Sequence, residues 1–352
     1  MHAEKGPSRR LVWCGIDEAG YGPVIGPLCV GCAVGWLDHH AGEGEPTHTR
    51  PDLWNALGDA VARDRVAWRA GGERALLVCD SKKAKLPNDS KTLHPLTHLE
   101  RTVLACLGCL RSAGRTDAQF ARAIGVTAAD AGWAEGGDPA PLPLSTTEEH
   151  LSLLAGRFTR ACSRAGFGLL DLSVRAIGVE EFNRRVGVLG SKGGLNLEIA
   201  IGLIDRVRRS RAAREVWRSS GSGVLVTLDR HGGRTRYAGA LSGGLGGAAV
   251  TAVRENAAVS VYEIGASTDG SAAPVRVEVR TEADGSDFLV ALASMAAKLV
   301  RELAMARLNR AWRGRIPDIK PTAGYRPDGN RFLRDLIAAG YSLEARHLER
   351  IL

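Results

Sequence analysis

Residues 15–23 read Gly-Ile-Asp-Glu-Ala-Gly-Tyr-Gly-Pro, with two adjacent carboxylates at the centre. An apolar run (11–16) precedes them and a second (24–36) follows, which predicts two antiparallel strands around a glycine turn. Neighbouring side chains of a strand point to opposite faces, so Asp17 and Glu18 can serve one site only where the backbone bends at the strand end. The glycines permit that bend and a close approach of backbone N–H groups to a ligand. A solvated acidic turn would have the same sequence, so the rest of the chain decides between them.

Composition indicates a globular protein, and its basic charge fits either a polyanionic partner or an arginine-rich proteome without a functional meaning. The chain has 352 residues, enough for one large or two ordinary domains, with 44% hydrophobic and 24% charged residues. We find no apolar run of spanning length and no signal-peptide pattern in the first ten residues, so we expect a cytoplasmic protein without a membrane segment. The net charge of +8 favours nucleic acid as the partner.

The seven cysteines include two C-x-x-C pairs, Cys29/Cys32 and Cys106/Cys109. Four thiolates could form a zinc site. Cys29 and Cys32 lie in a strand-like run, however, where a spacing of three sends the side chains to opposite faces. We therefore expect small buried hydrophobic residues rather than metal ligands.

Apolar patterning predicts strands interleaved with helices, which indicates a mixed α/β sheet. Beyond the first two strands, further strands are predicted at 75–79, 168–179, 224–228, 259–264 and 275–279. Helices are predicted at 51–70, 91–112, 193–210, 288–312 and 329–350. The glycine-rich run 240–249 is expected to be a flexible loop, and residues 1–10 a disordered arm.

Carboxylates recur where predicted strands end. Asp17 and Glu18 follow the first strand, Asp229 follows a central strand, and Asp284 precedes the long helix, with Asp287 a second candidate there. Acids brought together in this way repel one another unless cations neutralise them, and hard oxygen ligands suit Mg²⁺ or Mn²⁺. Two such ions about 4 Å apart would stabilise the attacking water and the leaving oxygen of a phosphodiester displacement. Spacing alone does not select these acids from the 39 in the chain.

Five motifs together resemble the ribonuclease HII family. The stretch Gly15 to Pro27 is similar to the family signature, and the other four motifs follow in the family's order. They are Asp80-Ser81-Lys82-Lys83, the strand 224–229, Glu282-Ala283-Asp284 with the helix sequence 293–301, and Gly324-Tyr325. The resemblance implies a ribonuclease H-like mixed sheet flanked by helices. The implied catalytic domain spans 11–320, with insertions at about 37–74 and 113–167, and 321–352 form a C-terminal helical segment packed on it.

The resemblance also implies a chemistry and a set of site residues. It predicts an endoribonuclease that hydrolyses the RNA strand of RNA–DNA hybrids, or acts on ribonucleotide-containing duplex DNA, with two Mg²⁺ or Mn²⁺ ions. The products would carry 5′-phosphate and 3′-hydroxyl ends, and the protein would act as a monomer. The implied metal-binding catalytic acids are Asp17, Glu18, Asp229 and Asp284. The implied substrate contacts are Gly20, Tyr21 and Gly22 at the 2′-hydroxyl, Ser81, Lys82 and Lys83 at the backbone, and Tyr325 stacking on a sugar.

This chain departs from the family at Tyr21, where the family loop has arginine between the two glycines. Tyrosine cannot form the charged fork of arginine, so we expect longer RNA in a hybrid to be a better substrate than a single embedded ribonucleotide. His231 and Arg234, directly after the third acid, could grip a phosphate or lie idle on the surface. Two other functions stay open: a nucleic-acid-binding protein of this fold with altered or lost activity, and a phosphohydrolase acting on a small substrate.

Overall fold

The computed structural model describes residues 9–39, 51–127, 138–230 and 232–351, so most of the predicted N-terminal arm and His231 lie outside the described residues. The strands, in chain order, are β1 (Arg9–Ala19), β2 (Leu28–His39), β3 (Val61–Ala62), β4 (Leu76–Leu77), β5 (Phe167–Ile177), β6 (Val224–Asp229), β7 (Val250–Glu255), β8 (Val259–Ile264) and β9 (Val275–Arg280).

Helices flank both faces of the main sheet. In chain order they are α1 (Leu53–Leu57), α2 (Arg65–Ala70), α3 (Ser81–Ala84), α4 (Thr97–Gly108), α5 (Asp117–Ala123), α6 (Glu148–Arg164), α7 (Val179–Leu189), α8 (Lys192–Arg208), α9 (Arg211–Ser220), α10 (Ala238–Gly244), α11 (Phe288–Arg315), α12 (Arg326–Ala338) and α13 (Ser342–Leu348). None of them, within the described ranges, combines the length and apolarity needed to cross a bilayer.

The described strands of the main sheet run in the order β5-β2-β1-β6-β9-β8-β7. β1, β2 and β5 pair antiparallel, β6 and β9 run parallel to β1, and β8 and β7 add an antiparallel edge. The predicted hairpin around the glycine turn is therefore confirmed, and so is a mixed α/β sheet flanked by helices. Because β1, β6 and β9 are parallel, their carboxyl ends lie at one edge of the sheet.

Alternation along β1 divides the core into two layers. Trp13 packs on the α11 face, and Cys14 and Ile16 pack on the α8 face. On the first face α11 lies directly against the sheet backbone: a Cβ added to Gly15 would lie 2.2 Å from backbone atoms of α11, and one on Gly31 would lie 2.1 Å from such an atom. Glycine is required at these positions because any side chain would occupy the space of the helix backbone.

The cysteines behave as the sequence predicts for strand residues. Cys29 belongs to the core on the α11 face and Cys32 to the core on the α8 face, so this pair cannot share a metal ion. Cys106 is buried within α4, whereas Cys109 is exposed at the end of that helix. All seven cysteines are among the described residues, and none of them forms a disulfide.

The first predicted insertion is built from short elements, whereas the second contains the 17-residue helix α6. The helix predicted over 51–70 is broken, because Gly58 adopts a φ of +55° and Asp64 begins a new helix by capping α2. Between the breaks β3 pairs with β4 in a separate parallel ribbon. In the second insertion Glu100 of α4 accepts backbone hydrogen bonds from Leu144 and Ser145, which ties that segment to the core.

The C-terminal helices α12 and α13 form a third apolar cluster with the end of α11 and the loop after the glycine turn. Its members include Val24, Ile25, Met305, Phe332 and Leu348. The prediction of one or two helices over 329–350 is confirmed, and the structure has two. The predicted loop at 240–249 is wrong in its first half, since α10 spans Ala238–Gly244 and buries Leu241 against the sheet.

Candidate active site

Three parallel strands place the predicted acids at one edge of the sheet. In the register Ile16 lies beside Leu228, and Asp229 lies beside Arg280 at the end of β9. Asp17, Glu18 and Asp229 therefore lie at the same level, at the carboxyl ends of their strands. Asp284 follows β9 by four residues, within a single 3-10 turn (Ala283–Gly285).

Asp17 and Glu18 keep the alternation of the strand instead of lying on one side of a bend. β1 continues through Ala19, and its pairing with β2 continues with it. Asp17 is buried beside Ser294 of α11, and Glu18 lies towards Asn196 of α8 on the other face. The two carboxylates thus lie on opposite faces of the sheet at its edge. The glycine turn begins only after β1 ends at Ala19.

Burial and the repulsion between neighbouring carboxylates raise the pKa of Asp17, Glu18 and Asp284. Burial raises the pKa of Asp17 well above its ordinary value, and the charges of Glu18, Asp229 and Asp284 raise it further, while the nearby hydroxyl of Ser294 acts in the opposite direction. Burial also raises the pKa of Glu18 and Asp229 adds to the rise, while the nearby amide of Asn196 acts in the opposite direction. The pKa of Asp284 is raised by burial and then by nearby acids, including Asp229. All four acids therefore share one electrostatic environment that favours a cation.

The turn that carries Asp284 is fixed by its neighbours. The Oδ1 atom of Asp229 accepts a hydrogen bond of 3.1 Å from the backbone N–H of Ala283. Glu282 has a φ of +53°, a left-handed conformation that is costly for a residue other than glycine. Such strain is typical of functional sites, and here it occurs at the residue that links β9 to the 3-10 turn.

Asp287, the second candidate for the fourth acid, has a different position. It caps α11 by accepting hydrogen bonds from the N–H groups of Leu289 and Val290. Its other oxygen accepts a hydrogen bond of 3.1 Å from the indole Nε1 of Trp13. Its carboxylate therefore serves the helix and the core, which leaves Asp284 as the better candidate.

The predicted substrate loop is hydrogen-bonded to the C-terminal part of the chain. Gly20 has a φ of +87°, and its carbonyl accepts a hydrogen bond of 2.6 Å from Nη1 of the buried Arg350. Val24 donates a backbone hydrogen bond of 2.8 Å to Gly324, and Arg350 donates one of 2.8 Å back to Val24. The Gly20–Gly22 loop and the Gly324-Tyr325 turn are therefore parts of one assembly.

The two aromatic candidates lie on either side of this loop. Tyr21 is partly buried, and Lys192 at the start of α8 lies 5.0 Å from the centre of its ring. Burial raises the pKa of the Tyr21 hydroxyl, and the charge of Glu18 adds to the rise. Tyr325 is 45% exposed, and the guanidinium of the buried Arg301 lies 5.2 Å from its ring centre. The ring of Tyr325 is therefore partly open to solvent.

Asp80 starts α3 by accepting a hydrogen bond from the backbone of Lys82. This turn buries Ser81, whose hydroxyl lies 3.0 Å from that of Ser294. Ser294 is also the residue beside Asp17, so α3 is connected to the first acid through two hydroxyl groups. Lys82 and Lys83 are exposed, and the charge of Lys82 lowers the pKa of Glu18 and Asp284.

Within the described ranges, no three His, Cys, Asp or Glu side chains are arranged as a ready metal site. The donor chemistry nevertheless fits a hard divalent cation, because the four acids offer negatively charged carboxylate oxygens close together at one edge of the sheet. Asp17, Glu18, Asp229 and Asp284 are the residues that would hold such ions.

Asn196, Ser294 and Arg350 are site residues that the sequence analysis missed. Asn196 is buried, and neither polar atom of its amide has a hydrogen-bond partner within normal distance among the described residues. A polar residue at a buried position of an amphipathic helix was the available signal for Asn196 and Ser294. Arg350 gave no signal, because it is separated from the loop by most of the chain. Arg234 is exposed on the surface.

Comparison with known proteins finds similarity at the level of structure alone. No protein-family model and no curated protein matches the chain. Among solved structures, the chain is similar to one described as the PCNA:RNase HII complex from Archaeoglobus fulgidus, at 17% identity and a TM-score of 0.44, covering 97% of this chain and 94% of that one. It is also similar to ribonuclease H2 from Pyrococcus horikoshii OT3, at 16% identity and a TM-score of 0.41, covering 94% of this chain and 89% of that one.

Proposed function

We propose that the protein is a metal-dependent endoribonuclease that hydrolyses the RNA strand of RNA–DNA hybrids. The observation that carries the proposal is the edge where three parallel strands bring Asp17, Glu18, Asp229 and Asp284 into one electrostatic environment. Lysines and an exposed tyrosine lie beside these acids, which suits a polyanionic substrate with sugars. The proposed place of action is the cytoplasm, as a monomer.

The chain's own residues have distinct parts in the proposed reaction. The four acids would hold Mg²⁺ or Mn²⁺, and such ions would supply stabilisation of the attacking water and of the leaving oxygen in an in-line displacement. The backbone of Gly20 to Gly22 recognises the ribose 2′-hydroxyl, the group that distinguishes RNA from DNA. Lys82 and Lys83 position the backbone through phosphate contacts, and Tyr325 stacks on the neighbouring sugar.

Purified protein is expected to cut the RNA strand of a uniform hybrid in Mg²⁺ or Mn²⁺, leaving 5′-phosphate and 3′-hydroxyl ends. A chelator should stop the reaction and added metal should restore it, since the acids alone supply no cation. The measurement is a denaturing gel of end-labelled hybrid, with duplex DNA and single-stranded RNA as controls. An intact hybrid with both metals would refute the proposal. Binding without turnover would indicate a binding protein, and hydrolysis of nucleotides alone a small-substrate enzyme.

Tyr21 predicts the preference between substrates. The quantity to compare is the ratio of two kcat/KM values, that for a single ribonucleotide embedded in DNA divided by that for the hybrid. Tyr21→Arg should raise this ratio roughly tenfold over the parent protein, because a charged fork adds about 1.5 kcal/mol at a phosphate. Tyr21→Lys is the matched control, since it adds the charge without the fork, and it should give a smaller gain. Equal ratios in all three proteins would show that position 21 does not select the substrate.

A further inference from the structure

A basic cleft of about 900 Å³ opens beside Asp284, between the first insertion and α3. The insertion forms one wall through the segment from Trp54 to Arg65, and the other wall follows α3 to Pro87. Among the described residues that line the cleft, three are acids and six are cations, namely Arg63, Arg65, Lys82, Lys83, Lys85 and Lys298. The cleft is continuous with the candidate active site, because Asp284 and Lys82 belong to both.

Apart from Asp284, the acids near the cleft either cap the N-terminus of a helix or pair with lysines. Asp64 accepts two backbone hydrogen bonds as the cap of α2, and Asp80 caps α3 in the same way. Glu302 of α11 lies 2.9 Å from the ammonium of Lys298 and 4.0 Å from that of Lys85. These two lysines therefore share the charge of one carboxylate, and the other positive charges of the cleft come from the two arginines and from the lysines of α3.

Arg63 is held in place by three contacts. Its guanidinium lies 4.6 Å from the centre of the Trp54 ring, and its Nη2 donates a hydrogen bond of 2.7 Å to the carbonyl of Gly285. Asp52 lies 3.9 Å away, a distance at which a half-exposed pair contributes little. The guanidinium is thus placed next to the turn that carries Asp284, with half of its side chain open to solvent.

Arg65 lies deeper in the same wall. Its Nη2 donates a hydrogen bond of 3.3 Å to the carbonyl of Lys85 across the cleft, and it has no carboxylate partner among the ion pairs of the described residues. An arginine fixed by backbone contacts keeps its remaining N–H groups and its charge for a ligand. Its planar fork fits phosphate oxygens in particular.

We propose that this cleft is a phosphate-binding subsite for a nucleic-acid strand that continues beyond the scissile position, and that Arg63 and Arg65 of the insertion are its binding residues. The ligand class is the phosphodiester backbone. The inference rests on the proposed function, because the strand in the cleft is a continuation of the strand that is bound at the proposed active site. The insertion thereby adds binding length to the catalytic edge.

The test compares Arg65→Gln and the double variant Arg63→Gln/Arg65→Gln with Arg69→Gln, using hybrid in a chelator so that no cleavage occurs. Arg69 is exposed on the same helix, α2, and does not line the cleft. The measurement is the slope of log affinity against log salt. This slope is negative, and each lost phosphate contact should reduce its magnitude by about 0.9. We therefore expect the magnitude to fall by about 1 for Arg65→Gln and by about 2 for the double variant, with no change for Arg69→Gln.

Arg65→Gln is the decisive variant because it leaves the bond from Arg63 to Gly285 intact. Equal slopes for Arg65→Gln and Arg69→Gln, with unchanged melting temperatures, would overturn the inference. Hybrids with single neutral methylphosphonate linkages locate the contact: the effect of Arg65→Gln should disappear when the bound phosphate is neutral. Binding is measured apart from turnover, so failure of this inference leaves hybrid cleavage intact, and a protein that binds without cutting would refute only the proposed function.

Discussion

Asp17→Asn should cut the hybrid at least about a thousandfold more slowly than the parent protein, a loss of about 4 kcal/mol of transition-state stabilisation. Asp17 is the most buried of the four acids, and it feels the charges of the other three. An amide at this position keeps the shape of the side chain and the contact with Ser294, but it removes the charge that would hold a cation. The measurement is the single-turnover cleavage rate at saturating protein.

The same variant should be at least as stable as the parent protein when metal is removed. Because the folded-state pKa of Asp17 is raised, its charged form destabilises the fold above that pKa, and the cost disappears as the pH falls through it. Asp17→Asn should therefore gain stability in urea unfolding at about pH 8 and lose that advantage towards about pH 4. Asp318→Asn, at an exposed site, is the control and should change neither rate nor stability. A fully active Asp17→Asn protein would remove Asp17 from the site.

Gly15→Ala should destabilise the protein by about 3 kcal/mol or more, seen as a melting temperature lower by roughly 4 °C or more. A Cβ at this position would lie 2.2 Å from backbone atoms of Leu289 and Val290. Backbone cannot rotate away as a side chain can, so α11 would have to move off β1. Since Ser294 lies on α11 beside Asp17, activity should fall together with stability.

Gly202→Ala is the matched control for this prediction. Gly202 is exposed in α8, and a Cβ there meets no atom within 4 Å. Alanine in the interior of an exposed helix should stabilise the protein by up to about 1 kcal/mol. If Gly15→Ala melted at the same temperature as the parent protein, α11 would not be pressed against β1 as the structure has it.

The sequence predicts best the parts of the site that strand ends position. Asp17, Glu18 and Asp229 stand at the ends of apolar runs, and runs of that kind become the parallel strands of the sheet. Their convergence follows from the parallel direction of those strands, which local patterning does not show. The long helix after Asp284 is confirmed as well, because its apolar residues extend over many turns.

What could not be predicted depends on contacts between distant parts of the chain. The run at 238–244 is rich in glycine and has weak helix propensity, yet it forms α10 because Tyr237 and Leu241 are buried against the sheet. β7 is largely exposed and exists through its pairing with β8, so it carries no apolar pattern. Asn196 and Arg350 reach the site through packing that no local motif records.

The hydrogen bond from Arg350 to Gly20 joins residues that are 330 positions apart. A ribosome delivers the strand with Asp17 and Glu18 first, and the guanidinium that supports the next loop emerges only after almost every other residue described here. Closing so long a loop also belongs to the late steps of folding, because the entropy lost must first be offset by contacts made elsewhere. The four candidate acids can thus be assembled before the loop from Gly20 to Gly22 is supported. Nascent chains and fragments that stop short of Arg350 would contain these acids but lack the hydrogen bond that supports the loop.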